Sequence, residues 1–147
     1  MSKHPEFHNI DDSSDAVVRQ LDDGLTAHIY PGDQAMISVV TVAPGAEGSM
    51  HDHPEEQWGL CLEGSGTRFQ GGEEIAFSKG DFWRTPGGVP HTMRAGEDGC
   101  RVLDLSLIHI SEPTRRVSQA RLRFWKRLTH AGISAQHQLS AVVSART

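Results

Sequence analysis

The chain has 147 residues, 37% of them hydrophobic and 22% charged, and a formal net charge of -5 at pH 7. That fits one ordinary globular domain with a modest core. No apolar run approaches the ~20 residues of a membrane span, and the opening MSKHPEFHNIDD lacks the apolar core of a signal peptide, so no membrane and a cytoplasmic setting are expected.

The 15 glycines and 7 prolines fall mostly between short apolar runs, which is the punctuation of a turn-rich β protein. Residues 1–24 are polar and acidic and read as an N-terminal arm or edge strand. LTAHIY (25–30) and AMISVVTVA (35–43) read as strands because of their β-branched content, with a turn at PGD (31–33). PGAEGS (44–49) reads as a loop, QWGLCLEG (57–64) as a strand ending in a turn, and GTRFQ (66–70) with EIAF (74–77) as a hairpin closed by Gly71-Gly72. FWRT (82–85), HTMRA (91–95) and CRVLDL (100–105) complete the set. Short strands at regular spacing predict an all-β sandwich or barrel. No helix is predicted before residue 114. The two cysteines, Cys61 and Cys100, do not make a disulfide framework and read as buried thiols.

The chemistry concentrates in HDHPEEQ (51–57). On an extended segment, His51 and His53 point to one face, so two imidazoles can hold one ion. An isolated pair of this kind is weak evidence, since the chain has nine histidines. The wider frame is far more specific. Gly45, His51, His53, Gln57 and Gly64 stand at the spacings of the first cupin motif, with Gln57 where that motif usually has Glu. Gly80, Pro86, Gly88 and His91 stand at those of the second, with Ala95 at its usual Asn. Residues 25–105 therefore resemble a small single-domain cupin. The resemblance implies a double-stranded β-helix, the jelly-roll barrel, holding one divalent metal ion. It carries over His51, His53, Gln57 and His91 as ligands. Imidazole suits Zn, Ni, Fe or Mn. A neutral Gln57 leaves the site charge at that of the bare ion, which makes a stronger Lewis acid toward an anionic oxygen than a Glu would. A register shift would bring Glu55 or Glu56 to that place instead.

The stretch HDHPEEQWGLCLEG further resembles the uronate-ring-opening cupins of pectin and alginate degradation. That implies a small, anionic, sugar-like substrate. Two other readings stand beside it: a metal-dependent dioxygenase on a phenolic or diketone substrate, and a non-catalytic small-molecule-binding cupin. Arg68, Arg84 and Arg94 are candidates for carboxylate recognition. Met50, Cys61, Arg68, Phe82, Trp83 and Met93 are expected around the pocket, Cys61 and Met93 by strand alternation from Gln57 and His91. A homodimer through barrel edge strands is expected, with no nucleic-acid partner.

The charge changes sign late in the chain. Residues 1–104 carry 7 Lys+Arg against 18 Asp+Glu, and residues 105–147 carry 7 against 1. At that point LSLIHISEPTR (105–115) resembles an in-frame translation of a sequencing-library adapter. Residues 106–147 are accordingly read as a non-native tail. Within it, Val117, Ala120, Phe124, Leu128 and Ala131 have the spacing of a basic amphipathic helix. The competing reading is a genuine basic helix that binds an acidic partner, nucleic acid or a membrane surface.

Overall fold

The structure is a computed structural model that describes residues 4–108. The helical spacing over 114–131, and the adapter-like stretch from residue 109 onward, lie outside the described residues. The elements are β1 (Val17–Asp22), β2 (Leu25–Pro31), β3 (Ala35–Val42), β4 (Gln57–Gln70), β5 (Glu73–Ser78), β6 (Phe82–Thr85) and β7 (His91–Leu107). Every pairing between them is antiparallel, in the order β1-β2-β3-β7-β4-β5, with β6 on β4. No helix occurs among the described residues, as expected.

Two sequence expectations need correction. Residues 57–64 and 66–70 are one strand, and so are 91–95 and 100–105. Together β4 and β7 make a ribbon paired from Gln57↔Ser106 to Gln70↔His91. Register shifts at Cys61/Glu63 and Gly64/Gly66 bend this ribbon without breaking it. Glycine inside a strand reads as a stop in the sequence, yet its freedom here serves a bulge that curls the sheet. One half of β7 then lies beside β3, and the other half closes over the opening, giving the jelly-roll barrel.

The core follows the two-residue period of the strands. Met36, Val40 and Val42 of β3 face in, while Ile37 and Thr41 face out. They meet Leu25, Ala27 and Ile29 of β2, Cys61 of β4, and Cys100 and Val102 of β7. Both thiols are free and buried, and burial pushes Cys100 up to about 11. The hairpin turn falls where the sequence places it. Gly71 and Gly72 have φ of 58° and 86°, the pair of left-handed residues that a tight two-residue hairpin requires. β1 adds an outer strand ahead of Leu25, and β7 runs to Leu107, where Ile108 donates its N–H to the Gln34 carbonyl.

Candidate metal centre

The two motifs are distant in sequence and are joined by backbone hydrogen bonds. Residues 46–51 lie along β7 on the side not taken by β4: Ala95 N–H donates to Ala46 O (2.9 Å), and Gly48 N–H to Met93 O (3.1 Å). His51 and His91 then exchange both backbone bonds, at 3.2 and 2.8 Å, so the two residues sit directly opposite each other. His53 is tied in by its carbonyl, which accepts the Gly88 N–H at 2.8 Å. That contact depends on Gly87. A Cβ there would sit 2.1 Å from the Pro54 carbonyl oxygen, so any side chain pushes the 86–90 loop off the first motif.

The result is a compact cluster. Ring centroids of His51 and His53 lie 4.4 and 4.9 Å from that of His91, and one ligating nitrogen from each of the three rings falls within 4.8 Å of the others. All three rings are oriented by the same device. Nδ1 donates to a backbone carbonyl two residues away: His51 to Ser49 (2.9 Å), His53 to Glu55 (2.9 Å) and His91 to Val89 (2.8 Å). A carbonyl only accepts, so the hydrogen is on Nδ1 and each Nε2 offers a lone pair to the shared centre.

Whether this donor set fits a metal ion is tested by the inward atoms. His91 Nε2 is buried and has no hydrogen-bond partner. His53 Nε2 lies 2.9 Å from Gln57 Oε1. The Gln57 amide also faces the Asp104 carboxyl and favours its charged form. At 2.9 Å, His53 Nε2 and Gln57 Oε1 share a hydrogen or serve as neighbouring ligands of one ion. Burial also lowers the pKa of His51, and that of His91 to about 3, keeping both in the neutral form a metal requires. Three imidazoles and an amide oxygen fit a borderline divalent ion.

The cluster opens on a cavity of about 40 Å³, room for roughly three waters. Arg68 lines it and is only 3% exposed. Its Nη2 donates to Thr85 Oγ1 at 2.8 Å and its Nε points at Gln70 Oε1 at 3.4 Å. Burial disfavours its charge, and the facing Asp104 carboxylate favours it. Asp104 in turn is pushed up to about 6 by burial, against the pull of Arg68, Gln57 and His53.

Of the residues expected around the pocket, Arg68 and Met93 line it. Met50 and Phe82 do not: they are 57% and 70% exposed on the outside. Cys61 shares the inward face as expected but is buried in the core, where its thiol faces the Glu63 carbonyl. Trp83 sits behind Arg68, with its ring 5.5 Å from the guanidinium carbon and against Phe77. Arg84 and Arg94 are surface groups paired with Glu56 and Glu47. Glu55 contributes its backbone carbonyl to His53, and Glu56 is held outside by Arg84 and Trp58, so Gln57 is the residue that faces the cluster. Asp104 and Thr85 escaped the sequence reading. Asp104 was reachable, because the alternation in CRVLDLS puts it on the same face as buried Val102.

No curated protein sequence matches the chain. Solved structures do match in fold. KdgF from a Halomonas species is 24% identical, covers 67% of this chain and 91% of its own, and has a TM-score of 0.59. An RmlC-like cupin from Shewanella frigidimarina is 20% identical, covers 76% and 97%, and has a TM-score of 0.63. Oxalate decarboxylase from Bacillus subtilis is 25% identical over 64% of this chain but only 27% of its own, with a TM-score of 0.57. Residues 38–106 match the family model of the cupin domain. With the barrel, the paired motifs and the three-histidine centre in agreement, residues 38–106 of this chain are similar to the cupin domain.

Proposed function

We propose that His51, His53, Gln57 and His91 hold one divalent ion, and that the site acts on a small anionic, sugar-like substrate by ring opening of an unsaturated uronate. The observation that carries this reading is Arg68. A buried guanidinium shares a cavity with a neutral four-donor cluster, and both favour a carboxylate against the opposing charge of Asp104, which burial pushes up to about 6. Bound there, the ion would supply Lewis-acid polarisation of a substrate oxygen. Thr85 and Gln70 hold the Arg68 fork in place to pair with the carboxylate, while Leu21, Leu25, Val40 and Met93 keep water from the buried end. The cavity admits the carboxylate end only, so the rest of the sugar would sit at the mouth. The motif HDHPEEQWGLCLEG supports the same substrate class.

The test follows the ultraviolet absorbance of a 4,5-unsaturated uronate with metal-loaded protein and with Arg68→Met. Faster loss of absorbance with the wild type, and a raised KM in the variant, support the reading. A rate equal to that of buffer, with the metal demonstrably bound, removes ring opening. Oxygen uptake with a phenol or diketone would then favour a dioxygenase, and binding without turnover a non-catalytic cupin. We also propose a homodimer through barrel edges such as β5, checked by sedimentation.

A further inference from the structure

Residues 46–51 do not run in perfect register along β7. Glu47 bridges Arg94 and His51 bridges His91, so four steps on one strand are matched by three on the other. The extra residue is a bulge at Ser49-Met50, a device that re-aims the following side chain. A bulge has a cost. Gly48 N–H and His51 N–H bond to β7, whereas Ser49 N–H is turned away from that ladder. Its acceptor comes from another element. At the end of β1, Asp22 takes the Ser49 N–H on Oδ2 at 2.7 Å, and the Ser49 hydroxyl faces Oδ1 at 3.2 Å. On the other side, the Thr92 hydroxyl donates to Gly48 O at 2.7 Å. Ser49 is also the residue whose carbonyl takes the His51 Nδ1–H.

We infer that Asp22 is a positioning residue for the metal centre, acting through Ser49 to hold the carbonyl that sets the tautomer and aim of His51. The chain of contacts runs from the Asp22 carboxylate to the Ser49 N–H and hydroxyl, through the Ser49 Cα to its carbonyl, then to the His51 ring and the shared centre. Asp22 lies outside the matched cupin span of 38–106 and outside both motifs. β1 is therefore part of the working site as well as an extra strand on the sheet. This inference rests on the metal reading above.

The experiment measures metal affinity by chelator competition, and the visible spectrum of the Co(II)-loaded protein, for the wild type, Asp22→Ala, Asp22→Ser and Asp22→Asn. Partners beyond the direct ligands are worth 10–100-fold in affinity, and this pair is partly exposed, so about a tenfold loss is expected for Ala and Ser. The Co(II) bands shift in those two variants, because His51 is re-aimed. Asn retains one acceptor oxygen for the Ser49 N–H and restores most of the affinity and spectrum. The serine variant suits the turn, so it keeps the test open if alanine impairs folding. Wild-type affinity and an unchanged Co(II) spectrum in both Ala and Ser would overturn the role of Asp22 while leaving the metal reading intact. A wild type that binds no divalent metal would overturn both.

Discussion

Replacing His91 with leucine separates the cost of this site from its use. In the metal-free protein, His91 is 1% exposed and its Nε2 has no partner. Leucine removes that orphan acceptor, worth about 1–3 kcal/mol, but strands the Val89 carbonyl, which loses about 1 kcal/mol. Near pH 7 the two effects nearly offset. The pH dependence does not offset. Burial holds the folded pKa at about 3 against an ordinary 6.5, so the unfolded chain binds a proton that the folded chain refuses throughout that window. Wild-type stability therefore falls as pH drops below 6.5, by up to about 1.36 kcal/mol per unit. From pH 7 to pH 5 the loss attributable to His91 is at most about 2 kcal/mol, and about 1–2 after allowing for relaxation and water entry around the ring. Asp104, raised to about 6, works in the opposite direction and stabilises the fold as pH falls from 6 toward 3.8, but it is common to both proteins and drops out of the comparison. The assay is urea unfolding of wild type and His91→Leu at both pH values with chelator present. The variant should gain about 1–2 kcal/mol on the wild type at the lower pH while binding no metal. A stability difference independent of pH would refute the argument that His91 is held neutral by burial.

Other outcomes follow from the same geometry. His51→Ala should retain little metal by elemental analysis after purification without chelators, since one of four donors and its orienting bond are gone. Gln57→Glu should destabilise the metal-free protein by about 1–3 kcal/mol at pH 8, because it sets a second carboxylate against Asp104, and Asp104→Asn should recover most of that loss. Gly87→Ala should cost about 1–3 kcal/mol by overpacking against Pro54 and should weaken metal binding as the His91 loop is displaced; unfolding and chelator titrations check the two parts.

Much of the site was legible because the relevant signals are local. The β-branched content of AMISVVTV marks its strand, and Gly71-Gly72 reports its own hairpin. The histidines stand out because their spacing is tied to glycines and a proline that must shape particular turns. The pocket was less legible. Phe82 and Trp83 are adjacent in sequence, yet one is on the outside and the other supports Arg68, and adjacency gives no warning of which face is enclosed. The breaks expected at 65 and 96–99 were bends, because a glycine looks the same in sequence whether the strand stops there or curls there.

The β architecture was legible in the chain itself, since strand and turn chemistry are encoded within a few residues, and the candidate metal ligands were legible through the resemblance to the two cupin motifs. Only the tertiary structure decided what surrounds that ion. The closing of the β4/β7 ribbon set Arg68, Asp104 and the β1 carboxylate Asp22 around His91 of β7 and the histidines of the 51–53 segment. Such contacts join residues far apart in the chain, and their geometry exists only once the barrel has closed.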